Sequence, residues 1–306
     1  MAQGHIPVLL QETLALLSPA PGEIFLDGTT GAGGHSTEIA KRVGPDGFLV
    51  CADADPAMLA VAAERLSAFP WVRTVHADFS ELERLREAAG GRRFNGALLD
   101  LGISSIQLDD PSRGFAFREE GPLDMRRDPG SGGPMASEIL RDARENELAD
   151  LFYRFGEERF SRRIARAVTE RRRKQPLRTT KELAALVAGA IPRKAWPREI
   201  HPATRVFQAL RIAVNRELES LAAFLSGIPG HLAPGGRVAV ISFHSLEDRL
   251  VKEAFRRRPG GADGNGTALA AITRKPVVPS EREMRENPRA RSAKLRAARL
   301  REEETG

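Results

Sequence analysis

The feature that most restricts the fold is a unit repeated between residues 23 and 100: a short apolar run, a turn, then helical periodicity. Glu23–Asp27 ends at a glycine-rich turn, Gly28–Gly34, and the helical segment Ser36–Val43 follows. Phe48–Asp55 is a second apolar run, ending in carboxylates, and Pro56–Leu66 reads as a helix with proline in its first turn. Val72–Phe79 and Phe94–Gly102 are two further strand candidates. Strands that are apolar along their whole length are buried on both faces; spaced by helices, they predict a parallel sheet. The expected fold class is α/β, with a Rossmann-like sheet.

The alternation then stops. Residues 109–134 are rich in glycine, proline and charge, and a loop that long inside a compact protein is usually functional or mobile. Only helical patterns follow. Glu138–Phe155 is one, and Glu158–Lys174 is another, with Phe160, Ile164, Ala167 and Val168 on one stripe. Thr179 and Glu182 fit a capping box. Leu210, Val214, Leu218, Leu221 and Leu225 recur at helical spacing, and a glycine turn leads into a fifth strand within Leu232–Ser245. A small helical domain is thus expected inside the sheet domain. The boundaries are 1–108 for the first sheet part, 109–205 for the insertion with its leading loop, and 206–306 for the second part. A flexible stretch, Gly260–Ala268, and a basic tail to Arg301 close the chain.

Composition narrows the classes. No run approaches ~20 uninterrupted apolar residues, and the N-terminus lacks the basic start and apolar core of a secretory signal, so a cytoplasmic protein with no membrane contact is expected. The lone cysteine, Cys51, excludes an internal disulfide framework and a cysteine-based zinc cluster. No His/Cys/carboxylate spacing suggests a metal. Aromatics make up only 6% of the chain, too few for a broad base-stacking sheet. The net charge of +6 hides an uneven distribution. Residues 156–198 carry 13 basic and 4 acidic side chains, and residues 249–301 carry 15 and 5, so the remainder is acidic.

The chemistry concentrates at strand ends. In Asp27–His35 the glycines allow close backbone approach to a ligand and open N–H groups at a helix start. Asp53 lies 20 residues beyond Gly33, where a carboxylate can hold ribose hydroxyls. A dinucleotide would be favoured by a third glycine, which Gly31–Ser36 lacks at the expected place. Asp78, Phe79 and Asp100 end two further strands; clustered carboxylates suit a cationic ligand such as S-adenosylmethionine rather than a pyrophosphate. A methyltransferase is favoured, with a nicotinamide-dependent oxidoreductase the alternative.

The chain resembles the bacterial ribosomal RNA small-subunit methyltransferase H family, the cytosine-N4 methyltransferases also called MraW. The resemblance lies in His5–Leu10, Asp27–Ser36, Leu98–Asp110, Arg113–Phe117, Gly121–Arg126, Gly156–Arg166, His201–Glu219, Ser242–Arg249 and Asn287–Ala298. Two positions depart from it: Ile106 replaces the usual proline before Gln107, and Thr30 stands where an apolar residue is common.

The resemblance implies a class I S-adenosylmethionine-dependent sheet, and methyl transfer to the exocyclic amine of a cytidine in the decoding region of small-subunit rRNA. The assembled small subunit is the implied partner, and a second copy of the chain a further candidate. Cofactor contacts carried over by motif are Gly33, Gly34, His35, Asp53, Phe79, Asp100 and Gln107. Independently of the resemblance, carbon-5 methylation needs a cysteine nucleophile, and Cys51 sits inside an apolar strand. Attack by the amine needs no covalent intermediate and no metal. Asp100 and His244 are the candidate catalytic residues. His35 and His201 read as loop and structural histidines. Arg113 and Arg118 are candidates for phosphate or cofactor contact, and Arg171–Lys174 for the RNA backbone. A non-catalytic ribosome-assembly factor is the remaining alternative.

Overall fold

The computed structural model describes residues 7–256 and 268–301. His5 and Ile6, and residues 260–267 of the expected flexible stretch, lie outside the described residues. The chain divides into two compact units, residues 1–102 with 218–306, and residues 103–217.

The first unit begins with α1 (Leu10–Leu17), β1 (Ile24–Asp27), α2 (Gly34–Val43), β2 (Phe48–Asp53), α3 (Pro56–Leu66), β3 (Val72–His76), α4 (Leu82–Ala88) and β4 (Phe94–Asp100). The second unit carries α5 (Ser105–Asp109), α6 (Ala136–Asp142), α7 (Glu145–Gly156), α8 (Ser161–Lys174), α9 (Thr180–Ala190) and α10 (Thr204–Asn215). The sheet unit then resumes through α11 (Glu217–Gly227), β5 (Leu232–Ser242), α12 (Ser245–Arg256), β6 (Leu269–Ala271), α13 (Glu281–Glu286) and β7 (Lys294–Leu300).

The seven strands lie in the order β3-β2-β1-β4-β5-β7-β6. The first five are parallel, while β7 runs antiparallel to both β5 and β6. This is an open Rossmann-like α/β sheet whose last two strands reverse direction. Alternate residues of each central strand feed opposite faces. Phe25, Leu49, Leu98 and Ala239 pack with Leu14, Ile39, Val43 and Leu66 on one side. Leu26, Val50, Leu99 and Val240 pack with Leu82, Leu85, Phe224 and Val251 on the other. Gly96 makes room for the first layer, since a Cβ there would lie 2.1 Å from the Phe25 ring. Truncating a fully buried Phe such as Phe25 or Phe94 typically costs about 3–5 kcal/mol.

Several features depart from the sequence reading. The basic tail is not a tail through Arg301: Lys294–Leu300 is β7, a strand whose Leu295 and Ala297 complete the core. Strand β3 is only half buried, because as an edge strand it has one neighbour. The expected helix Glu138–Phe155 is two helices, broken at Ala143–Arg144. There the Glu147 carboxylate accepts the Arg144 N–H at 2.8 Å and starts α7 afresh. The helical unit spans 103–217 rather than 109–205, because α10 packs on α7 and its Phe207 and Leu210 enter that unit's core.

Residues 109–134 are tied down rather than loose. Leu123 N–H donates to Arg178 O, Met125 N–H to Arg113 O, and Thr180 N–H to Gly121 O. The Arg113 guanidinium donates to the Arg126 and Arg127 carbonyls, so that arginine organises the loop from inside. Thr179 caps α9 in the capping box with Glu182 that the sequence predicts.

Candidate functional site in the sheet unit

The parallel registers bring the carboxyl ends of the strands level: Asp27 lies beside Cys51 and Leu98, Asp53 beside His76, and Asp100 beside Ile241. The strand order reverses between β1 and β4, and such a switch point is where open α/β sheets bind ligands. Asp27 and Asp100 end the two strands that flank it.

The β1–α2 turn is shaped by its glycines. Gly31 and Gly33 have φ of +53° and +79°, which disfavours side chains. Among the described residues beyond its chain neighbours, a Cβ on Gly31 would meet no atom closer than 4.0 Å, whereas one on Gly34 would lie 2.5 Å from the Pro7 ring. Asp53 fixes the turn from β2: Oδ2 accepts the Gly31 N–H at 2.8 Å and Oδ1 accepts the Asp55 N–H at 2.9 Å. Thr30 donates its hydroxyl toward Ala52 O at 3.0 Å and Asp27 O at 3.3 Å. A hydroxyl in place of the common apolar residue thus adds a tie between β1 and β2.

Asp27 is 1% exposed, accepts from the Ser36 hydroxyl at 2.6 Å and from the Thr29 N–H at 3.2 Å. Burial pushes its carboxyl up to about 6, against those two hydrogen bonds and with Asp53 adding repulsion. Asp100 is raised well above the usual carboxylate range, by burial first and then by the charges of Asp27 and Glu247. Its Oδ1 is buried with no hydrogen-bond partner among the described residues. Its Oδ2 stands 3.5 Å from His35 Nδ1. The backbone N–H of Asp100 donates to Thr29 Oγ1 at 2.6 Å, locking the end of β4 onto the turn.

The other candidates divide. Phe79 is 3% exposed and meets Phe224 edge-on at 5.8 Å, forming the wall behind Gly28 rather than an open ring face. His244 caps α12: its Nδ1 accepts the Glu247 N–H at 3.4 Å while Glu247 Oε2 accepts the His244 N–H at 3.3 Å. Its buried Nε2 lies 3.2 Å from Glu247 Oε1 but, like Asp100 Oδ1, makes no hydrogen bond among the described residues. Gln107 belongs to the helical unit, where it forms the capping box of α5 with Ser104. Cys51 is fully buried, and burial followed by the Asp27 charge pushes its thiol far above the range in which a thiolate forms. Glu247 is the residue that sequence reasoning missed; the only signal was its position three after His244 at a strand-to-helix junction.

A sequence model described as the MraW methylase family matches residues 2–301. The chain belongs to that family. Ribosomal RNA small subunit methyltransferase H of Anaeromyxobacter dehalogenans is 52% identical to it over 96% of each chain. The protein of the same name from Trichlorobacter lovleyi is 48% identical, covering 96% of this chain and 97% of its own. A solved rRNA methylase structure from Streptococcus thermophilus aligns over 98% of this chain and 100% of that one, at 10% identity and a TM-score of 0.45.

MraW methylases use S-adenosylmethionine, and the sheet unit fits that cofactor. The open side of Gly31 offers room against bare backbone, and the orphaned Asp100 Oδ1 lacks a donor. Two carboxyls held above their ordinary range, Asp27 buried and Asp100 half-buried, are what a cation would relax.

In the helical unit, the run Arg171–Lys174 is split in use. Arg172 donates to the Leu140 and Ala143 carbonyls at 2.7 Å each, closing the C-terminus of α6, and Arg171 donates to Gln175. Arg173, Lys174 and Arg178 are exposed and make no hydrogen bond or ion pair through their side chains among the described residues. With Arg141, Arg172 and Leu177, Arg173 and Arg178 line a cavity of about 500 Å3. His201 is a structural histidine in this unit: its Nδ1 accepts the Ala203 N–H at 3.1 Å and its ring lies 4.8 Å from Phe117. No described helix is long and apolar enough to cross a membrane.

Proposed function

We propose that the chain methylates the N4 amine of a cytidine in the decoding region of small-subunit rRNA, within the assembled small subunit. The methyl group passes directly and in line, with no covalent enzyme intermediate. The curated relatives bear the name of a small-subunit rRNA methyltransferase, and the motif resemblance supplies the cytosine-N4 specificity.

The observation that carries the reading is Asp100: a half-buried carboxyl with one buried, orphaned oxygen, at the sheet's switch point, beside a turn of bare backbone. S-adenosylmethionine supplies a methyl carbon made electrophilic by its sulfonium. Gly33 and Gly34 offer backbone, Asp53 offers its carboxylate to the ribose, and Phe79 walls the adenine side. His35 holds Asp100 in place. Gln107 is proposed as a cofactor contact on the family resemblance alone.

A cytosine amine is a weak nucleophile because its lone pair is delocalised into the ring. An acceptor for its N–H groups favours the pyramidal, positively charged nitrogen that develops as the bond forms. Asp100 is that acceptor in this proposal, once a cation beside it has shifted it to the carboxylate. His244 is the second proposed catalytic residue: its Nδ1 is committed to a helix cap, while its buried Nε2 has no hydrogen-bond partner among the described residues. The inert state of Cys51 supports amine rather than carbon-5 chemistry.

Calorimetric titration with S-adenosylmethionine and with NAD, followed by labelled methyl transfer to undermethylated small subunits, tests the reading. Binding of the first cofactor alone, with label entering small-subunit rRNA, is expected. Cofactor binding without transfer would point to an assembly factor, and NAD binding to an oxidoreductase.

A further inference from the structure

We infer that the helical unit contains a pocket for one unpaired ribonucleotide, distinct from the methylated cytidine. The inference rests on the rRNA reading above only for the source of that nucleotide. The pocket is a cavity of about 300 Å3 lined by Glu158, Arg159, Phe160, Lys194, Trp196 and Arg205, among others. That volume is at the lower end for small-ligand sites; it admits a single base with its sugar and excludes a helix.

Three kinds of group converge there. Trp196 is held in place: its Nε1 donates to Ile191 O at 3.1 Å, and the Arg193 guanidinium covers one ring face at 4.1 Å, while Trp196 but not Arg193 lines the cavity. Arg159 and Lys194 are exposed cations with no ion pair among the described residues, and Arg205 is steadied by donating to Glu157 O at 3.1 Å. Glu158, only 5% exposed, places a carboxylate in the same wall, with Oε1 accepting the Phe160 N–H at 2.8 Å.

This combination selects its occupant. A bare phosphate would meet the cations but be repelled by Glu158. An acidic peptide would be repelled likewise and has no flat face for Trp196. A nucleotide satisfies all three: phosphate on the cations, base against the indole, and base N–H donors on the Glu158 carboxylate. Bases with an exocyclic amine fit best. Uracil fits worst, since its one ring N–H lies between two carbonyl oxygens that the carboxylate repels.

The chain has two tryptophans, so Trp71→Phe leaves Trp196 as the lone reporter. Fluorescence of that variant is titrated with single-stranded octamers of cytidine and of uridine. Quenching by the cytidine octamer is expected, with affinity about fivefold or more above that for uridine, and Glu158→Gln should largely erase the difference. In anisotropy with a labelled cytidine octamer, Trp196→Ala and the double change Arg159→Ala/Lys194→Ala should each weaken binding about tenfold. Melting temperature and S-adenosylmethionine affinity confirm that each variant is folded. No quenching, equal quenching by a polyglutamate peptide, or undiminished binding by folded Trp196→Ala overturns the pocket. A wild-type chain that methylates small subunits while giving any of those results keeps its function and loses the pocket. Quenching as expected without methyl transfer does the reverse.

Discussion

His35 Nδ1 stands 3.5 Å from Asp100 Oδ2, while His35 Nε2 lies 3.0 Å from the carbonyl oxygen of Val8. A carbonyl oxygen only accepts, so Nε2 carries a hydrogen. In the neutral pair, one further proton serves Nδ1 and the Asp100 carboxyl together. Burial, then Asp27 and Glu247, favours keeping that proton on the carboxyl. A cation bound beside the pair favours the carboxylate and equally disfavours a charged imidazole, so the proton leaves for solvent.

Binding of the cationic cofactor should therefore release protons. Titration of S-adenosylmethionine near pH 6, in two buffers of different ionisation enthalpy, should give different apparent heats. S-adenosylhomocysteine, which lacks the sulfonium charge, should give a smaller difference. Identical heats for S-adenosylmethionine in the two buffers would remove the electrostatic link between cofactor and carboxyls.

Asp100→Asn keeps the side chain's size and removes its charge. The expected outcome is a fall in kcat of about 100-fold or more, in the range of lost acid–base groups, with cofactor affinity reduced far less. Wild-type turnover with normal cofactor binding would exclude Asp100 as the amine's acceptor.

The raised pKa of Asp27 sets a stability trend. Its folded value of about 6 exceeds the ordinary 3.8, so the folded state binds the extra proton. Stability from this group is full below pH 3.8 and is lost as pH rises through about 6. At about 1.4 kcal/mol per pKa unit, the loss is about 3 kcal/mol. Denaturant melts between pH 4 and 7 should show Asp27→Asn falling less over that window than wild type; parallel curves would contradict the assignment.

The split within the basic run separates binding from folding. Replacing Arg173, Lys174 and Arg178 by alanine should lower the slope of log K for RNA against log salt by about 2, at 0.7–0.9 per phosphate contact. Arg172→Ala should instead cost about 1–3 kcal/mol of stability, because it strips the Leu140 and Ala143 carbonyls of their donor. An unchanged salt slope in the folded triple variant would show that these cations do not meet phosphate.

Sequence and structure agree best where burial is simplest. The apolar runs of β1, β2 and β4, buried on both faces, stand out from their neighbours. Asp27, Asp53 and Asp100 are legible for the same reason, as charges ending those runs. Strand β7 was hidden because Arg296 and Arg299 interrupt its apolar pattern. Arg296 is buried only by pairing with Asp248, at 2.7 Å across 48 residues, which no local pattern reveals. Burial opposes that carboxylate, but the Arg296 hydrogen bond and the charges of Arg296 and Lys294 hold it below its ordinary pKa. The capping contact of His244 is equally hidden, since a histidine seldom takes the place of serine or threonine in a capping box. The break before α7 was legible in principle, because Glu147 three residues after Arg144 is the second half of a cap without its usual first half.

Mass mapping of small-subunit rRNA nucleosides tests the central claim most directly. Undermethylated subunits incubated with S-adenosylmethionine and the wild-type chain should gain one methyl group on a cytidine, located at N4 and within the decoding region. Asp100→Asn should leave that nucleoside almost unmodified over the same time. A methyl group on carbon 5, on another base, or outside the small subunit would contradict the account.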